Sequence, residues 1–284
     1  MWLFKTIYSL QSHLKKLKSE GKSIGFVPTM GALHQGHLRL LEECKIHADI
    51  SVCSIFVNPT QFNDPGDLTS YPITIESDMD QLIRLGCDVL FLPDVDTVYP
   101  NGTEIKEKID FGRMAVIAEG ESRPGHFDGM AQVVERLLRI VGPEFIFMGQ
   151  KDLQQSIIVK KLVELKKLKT KVVRVDTVRE EDGLALSSRN VRLNQDQRKD
   201  AKALSSVLFA IRDRALAGTA SKDLKKLGYE IISQYPSIEL EYLELVSMPD
   251  MMDFETLEAG KEYAALIGVN VESTRLLDNV VFSV

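Results

Sequence analysis

Ile24-Gly25-Phe26-Val27-Pro28-Thr29-Met30-Gly31-Ala32-Leu33-His34-Gln35-Gly36-His37 holds, in one short stretch, a strand, a turn and the start of a helix. Ile24 to Val27 is an apolar run of strand length, Pro28 to Gly31 is turn chemistry, and Leu38 to Ala48 continues at helical spacing. His34 and His37, three apart at the helix start, project from one face. Gly36 between them lets a bulky ligand approach the backbone. A helix N-terminus carries partial positive charge and unpaired N–H groups, so it favours phosphate. Two imidazoles add donors aimed at the same anion, which points to nucleoside triphosphate chemistry. Taken alone, His-x-Gly-His fits two surface histidines on an amphipathic helix equally well; the strand–turn–helix setting gives it weight.

The alternation continues outward from this stretch. Ile50 to Val57 is nearly all apolar, as expected of a strand covered on both faces. Asp78 to Leu85 has helical spacing and Gly86 stops it. Val89 to Leu92 and Phe145 to Met148 read as buried strands, Gly129 to Val141 and Leu153 to Lys167 as helices, and Val172 to Val178 as a strand. Repeated strand–helix alternation predicts a Rossmann-like α/β fold, a parallel sheet with helices on both faces. Past 176 the pattern changes. Asn194 opens a long helical segment to about Ala217, Ser221 to about Tyr235 is another, and three strand-like segments follow at Ile238 to Ser247, Tyr263 to Val271 and Leu277 to Val284. The reading is a larger domain over 1–176 and a smaller C-terminal α+β domain with an antiparallel sheet over 177–284.

Composition sets the outer bounds. A chain of 284 residues with 44% hydrophobic and 27% charged residues buries a sizeable core. Net charge of −6 and a pI near 5.5 argue against a surface given over to nucleic acid. The basic stretch from Lys160 to Lys171 is interleaved with Leu162, Val163, Leu165 and Leu168, so it reads as the solvated side of a helix. Cys44, Cys53 and Cys87 are odd in number, far apart and in apolar settings, so reduced packing thiols in a cytoplasmic protein are expected. Met1 to Thr6 lacks the features of a signal peptide, and no run of roughly 18 apolar residues occurs, so no membrane span is expected.

Ligands of an open parallel sheet bind at the carboxyl ends of its strands. Four polar segments follow predicted strands and can converge there. Besides Pro28 to His37 there is Asn58-Pro59-Thr60-Gln61-Phe62-Asn63, whose amides suit a polar organic substrate better than a metal. Gly149-Gln150-Lys151-Asp152 places a lysine in reach of a phosphate, and Gln154 and Gln155 open the next helix, one of them facing the crevice. Leu184-Ala185-Leu186-Ser187-Ser188-Arg189-Asn190 sets two hydroxyls beside an arginine, a grip for phosphate oxygens. Each could be an ordinary turn in isolation. A Ser-Ser-Arg loop paired with an upstream His-x-Gly-His is the more telling combination.

With these segments together, the chain resembles the pantothenate synthetase family of the nucleotidyltransferase superfamily over essentially its whole length. The resemblance rests on Pro28 to His37; Phe56-Val57-Asn58-Pro59 with Gln61-Phe62; Arg123-Pro124-Gly125-His126-Phe127; and Gly149 to Asp152 with Gln155. It continues through Val178-Arg179-Glu180, Asp182-Gly183-Leu184-Ala185, Ser187 to Asn190, and Leu276-Leu277-Asp278-Asn279. Where the family usually reads Tyr-Pro-Arg-Thr, this chain has Tyr71-Pro72-Ile73-Thr74, which removes any role for an arginine at 73.

The resemblance implies condensation of pantoate with β-alanine, driven by cleavage of ATP to AMP and pyrophosphate through a pantoyl adenylate. It implies that His34 and His37 contact the phosphates, with His37 the proton donor, and that Lys151, Ser187, Ser188 and Arg189 bind them from the other side. The ATP site would be completed by Met30, Gly31, Ala32, Leu33, Gln35, Gly36, Gly149, Gln150, Asp152, Val178 and Leu186. Gln61 and Gln155 would hold pantoate, with Gln61 also meeting β-alanine. Mg²⁺ would bridge phosphate oxygens with few protein ligands, Asp78 being the candidate. A homodimer formed through the larger domain is implied, with the smaller domain a lid that shields the adenylate from water. Two other readings stay open on the residues: a His-x-Gly-His transferase acting on a phosphate acceptor, which would call for more cations than the Gln61 loop offers, and a nucleotide-binding module without catalysis.

Overall fold

The computed structural model describes residues 1–62, 65–69, 71–105 and 108–284, so Asn63 of the expected substrate loop lies outside the described residues. In chain order the elements are β1 (Trp2–Phe4), α1 (Ile7–Ser19), β2 (Ile24–Thr29), α2 (Gln35–His47), β3 (Ile50–Ile55), α3 (Pro65–Thr69), α4 (Ile75–Arg84), β4 (Val89–Phe91) and α5 (Val95–Val98). There follow α6 (Glu119–Ser122), α7 (His126–Val141), β5 (Phe145–Gly149), α8 (Leu153–Leu165) and β6 (Lys171–Val175). The rest is α9 (Gln195–Ala201), α10 (Ala203–Leu216), α11 (Ser221–Ile232), β7 (Ile238–Ser247), β8 (Glu262–Val271) and β9 (Thr274–Ser283).

Two compact units divide the chain. The first takes Met1–Phe111, Pro124–Gln150 and Gln155–Asp176, the second Gly112–Arg123, Lys151–Gln154 and Thr177–Val284. Two stretches inside the range expected for the larger domain, 112–123 and 151–154, therefore group with the second unit. Nothing in their composition marks them, because the grouping is made by contacts far away in sequence.

The first unit is a six-stranded sheet in the order β1-β4-β3-β2-β5-β6, with every neighbouring pair parallel. The central strands are buried on both faces, which is why Ile24 to Val27 and Ile50 to Ile55 read as nearly all-apolar runs. Ile24, Phe26, Leu41, Leu90 and Phe147 are sealed from solvent. From β2 the chain proceeds one way through β3 and β4, while β5 and β6 add on β2's other side. The topological switch point thus lies between β2 and β5, and in open sheets of this kind ligands bind beyond the carboxyl ends of the strands there. The chain leaves β2 into the Met30 turn and leaves β5 into Gln150.

In the second unit β7, β8 and β9 form an antiparallel sheet. Leu204, Val207, Leu208 and Ile211 of α10 pack with Leu243, Ile267 and Val269 of the strands in one core. The single long helix expected from Asn194 is two, α9 and α10, joined at Lys202, whose φ of −62° and ψ of −21° stay helical. With neither Gly nor Pro there, no sequence signal marks the joint. Among the described residues no helix is long and apolar enough to cross a membrane.

Candidate active site

The turn after β2 is built around a buried carboxylate. Gly31 and Ala32 both take positive φ, 84° and 50°, which turns successive amides inward. Asp78, on α4 and closed to solvent, accepts the Ala32 amide at 3.0 Å, the Leu33 amide at 2.8 Å and the Thr74 hydroxyl at 3.1 Å. A Cβ on Gly31 would stand 3.0 Å from Asp78 Oδ2, so glycine also lets the carboxylate in. Thr29 Oγ1 accepts the Gly31 amide at 3.2 Å and donates to the Ser54 carbonyl at 2.7 Å, tying the turn to β3. Asp78, the expected metal ligand, here gives its oxygens to the Ala32 and Leu33 amides and the Thr74 hydroxyl, and so shapes the turn.

His34 is the N-cap of α2 rather than a residue inside it. His34 Nδ1 accepts the Gly36 amide at 3.1 Å, and His37 Nδ1 accepts the His34 amide at 3.4 Å, a capping box made of two imidazoles. The rings lie with centroids 4.1 Å apart. Because both Nδ1 atoms act as acceptors, both rings carry hydrogen on Nε2.

Gln61 comes to the same place. Its Nε2 donates to the Met30 sulfur at 2.9 Å, and its Oε1 accepts from Asn58 Nδ2 at 3.2 Å. Asn58, buried, also donates to the Gly129 carbonyl at 3.3 Å and accepts Thr60 Oγ1 at 3.1 Å and Tyr99 Oη at 2.8 Å. Burial raises the Tyr99 pKa, so the phenol stays a neutral donor. The Arg136 guanidinium lies 4.9 Å from the centre of the Tyr99 ring. α7 begins flat against the short 3-10 turn Pro59–Gln61: a Cβ on Gly129 would lie 2.0 Å from the Thr60 carbonyl oxygen. Buried His126 closes the cluster, its Nδ1 2.9 Å from the Gln61 carbonyl. The sequence pointed to the Asn58 and Gln61 amides but gave no role to Tyr99 or Gly129, whose contacts with this turn come from far along the chain.

Gly149 ends β5 and Gln150 opens a short 3-10 turn, after which the two glutamines of α8 differ. Gln154 is buried and donates to the Met114 and Ile117 carbonyls at 2.8 and 2.9 Å while accepting the Glu119 amide. Gln155 is half-buried in the first turn of the helix.

The second unit carries the other charged groups. Lys151 reaches Asp152 Oδ1 at 3.1 Å. From Val178 the chain folds back on itself, with the Leu186 amide on the Val178 carbonyl at 3.0 Å and a bridge pairing Arg179 with Ala185. Asn190 pins the loop to Glu180 and the Ala185 carbonyl. Ser187 Oγ accepts the Arg189 amide at 3.2 Å, so Ser187, Ser188 and Arg189 sit in a tight turn. Asp182 braces the hairpin: burial opposes its charge, but the Leu184 amide, Arg198 and Lys202 outweigh burial and hold its carboxyl below the usual range. Ile73, where the resemblance would place an arginine, is 75% exposed.

A parallel sheet whose switch point meets a helix start capped by two imidazoles, in a chain that also carries a lysine and a Ser-Ser-Arg turn, has the groups that a nucleotide-dependent enzyme uses. Residues 2–281 match the model of the family described as pantoate-beta-alanine ligase. A pantothenate synthetase of Carboxydothermus hydrogenoformans is 42% identical over 285 residues, covering all of both chains. The pantothenate synthetase of Thermus thermophilus superposes with a TM-score of 0.91 at 37% identity, over 99% of each chain. The Francisella tularensis pantoate-beta-alanine ligase, solved with a β,γ-ATP ligand and β-alanine, gives 0.81 at 34% identity, over 99% of this chain and 97% of its own. The chain belongs to the pantoate–β-alanine ligase family, and it is a ligase joining pantoate to β-alanine.

Proposed function

We propose that the chain makes pantothenate in two steps at the expense of ATP. The carboxylate of pantoate is a poor acyl donor because its leaving group would be oxide. Attack of a carboxylate oxygen on the α-phosphorus forms pantoyl adenylate and expels pyrophosphate. The β-alanine amine then attacks the acyl carbon, and AMP leaves with the C–O bonding pair. No protein nucleophile is required, so the enzyme's work is placement and charge neutralisation.

The observation that supports this reading is the imidazole capping box at the start of α2, the helix that follows β2 beside the sheet's switch point. His34 and His37 are assigned to the phosphates, His37 as the group that meets charge on the departing pyrophosphate. Lys151, Ser187, Ser188 and Arg189 are assigned to the same phosphates. Met30 to Leu33, Gln35, Gly36, Gly149, Gln150, Asp152, Val178 and Leu186 complete the nucleotide site. Gln61 and Gln155 are assigned to pantoate, supported for Gln61 by the Asn58 bond that orients its amide. Mg²⁺ is assigned to the triphosphate. Among the described residues no group of three or more His, Cys, Asp and Glu is placed to cage an ion, and Asp78 is committed elsewhere, which favours phosphate oxygens and water as its ligands. A cytoplasmic homodimer completes the proposal, its reducing compartment supported by three buried free thiols.

Pyrophosphate release tests the reading. With ATP and pantoate alone, one equivalent of pyrophosphate per site is expected; adding β-alanine should then yield AMP and pantothenate. No pyrophosphate with pantoate present would overturn it, and release with a phosphate acceptor in place of pantoate would favour another transferase.

A further inference from the structure

Asp278 and Asn279 are consecutive polar residues in the middle of β9, each only 2% exposed, though burying such groups is costly unless they are fully partnered. Asp278 takes a two-point grip from Arg179: Nη1 to Oδ2 at 2.6 Å and Nη2 to Oδ1 at 2.9 Å. The same guanidinium donates to the Gly183 carbonyl at 3.1 Å and the Asn279 carbonyl at 3.2 Å, and lies over the Phe209 ring. Asn279 Nδ2 in turn donates to the Lys151 backbone carbonyl at 2.8 Å. A buried ion pair is weak evidence for stability, since desolvation offsets its attraction. What this cluster does is connect. Arg179 joins β9 to the Gly183 turn, just upstream of Ser187, Ser188 and Arg189, while Asn279 joins β9 to the residue that carries the Lys151 ammonium.

We infer that Arg179, Asp278 and Asn279 are positioning residues that fix Lys151 and the Ser187–Arg189 turn at one spacing within the second unit, so that both meet the same polyphosphate. The inference rests on assigning Lys151 and that turn to the phosphates of ATP. A lysine reaches its ligand as a point charge on a flexible stem, so its backbone anchor decides how much of its range is spent at the phosphate. Burial drives the Asp278 carboxyl up in pKa while Arg179 and Lys151 oppose it, which accords with both cations being held close to this carboxylate.

The test compares Asn279→Ala, Asn279→Asp and Arg179→Lys with Lys151→Ala in the full-length enzyme. Each is assayed for ATP-dependent pyrophosphate release and for the reaction of β-alanine with preformed pantoyl adenylate. Leaving the Lys151 carbonyl without its donor should lower kcat/KM for ATP about 5- to 100-fold, chiefly through KM, with the second half-reaction within about twofold of wild type. Asn279→Asp keeps the shape but loses the donor, so it should behave as Asn279→Ala does. Arg179→Lys reaches the same hub from another residue should the Asn279 variants fold poorly. Combining Lys151→Ala with Asn279→Ala should cost no more than Lys151→Ala alone. A wild-type kcat/KM for ATP in folded Asn279 and Arg179 variants, an equal fall in both half-reactions, or additive losses in the double variant would overturn the inference while leaving the phosphate assignment standing. A wild-type Lys151→Ala enzyme would overturn that assignment and the inference with it.

Discussion

His37 caps the helix it belongs to and, in the proposed reaction, meets the pyrophosphate. His37→Ala removes a donor to a charged group, a loss of roughly 1.5–3 kcal/mol, or about 10- to 150-fold in the rate of adenylate formation. Its capping bond is long, so circular dichroism should show a folded protein while pyrophosphate release falls; an unimpaired rate would end the assignment. Asp78 makes the opposite case. Asp78→Asn turns one oxygen acceptor into an NH₂ facing backbone amides, and an unsatisfied pair of this kind costs about 1–3 kcal/mol. Chemical denaturation should show that loss, while the Mg²⁺ concentration giving half-maximal rate stays put; a shifted Mg²⁺ requirement would restore Asp78 as a ligand. The contrast also explains what sequence could reveal at this scale. His34 and His37 were legible because their spacing and helix start are local. Asp78 looked like a spare acid because its partners, Ala32 and Leu33, lie on the far side of a β–α unit and nothing near it in sequence names them.

Between elements, close approach decides function as much as side-chain chemistry does. Gly129→Ala would drive a methyl group into the Thr60 carbonyl, which is backbone and cannot rotate away. The 3-10 turn or α7 must shift, at about 1–3 kcal/mol of stability, and Gln61 moves with the turn. A raised KM for pantoate with ATP affinity retained is expected in calorimetry and steady-state rates; unchanged pantoate kinetics would separate the turn from the substrate. A second junction responds to pH. Glu119 on α6 accepts Tyr242 Oη at 2.9 Å and hydrogen bonds from Arg275. Burial alone would raise its pKa, but the Arg275 bonds, Tyr242 and Arg123 outweigh it and hold the carboxyl below the ordinary glutamate range. The folded state therefore binds this proton more weakly than the unfolded chain. The stabilisation is complete above about pH 4.3 and is lost as pH falls through the lower folded value. Wild type should be more stable than Glu119→Gln at about pH 6, and the gap should close toward about pH 3; a constant gap would refute the ion pair's part. Most of these elements were visible beforehand, since β2, β3, β5 and the C-terminal strands are apolar runs bounded by turn residues. β1 was not, being three residues at a sheet edge with Trp2 64% exposed, nor was the α9–α10 joint, which needs no breaker residue.

For the whole molecule, the proposed assembly is a two-fold dimer in which each chain works alone. A self-complementary two-fold interface is the commonest solution for soluble oligomers. The family resemblance implies it, and light scattering at micromolar concentration should return twice the 31.9 kDa chain mass; a monomer there would refute the dimer. We propose that His34, His37, Gln61, Lys151, Gln155 and the Ser187–Arg189 turn act within one copy of the chain, with none borrowed from a partner. Wild-type chains mixed and reassembled with an excess of His37→Ala chains should therefore keep activity in proportion to the wild-type chains present, with KM for ATP and pantoate unchanged. A site completed across the interface would instead depart from that line, falling steeply if one defective chain silences both sites. Curvature in the mixing plot would mean that a residue of the neighbouring copy takes part in the chemistry, and the assignment of the site to a single chain would have to be given up.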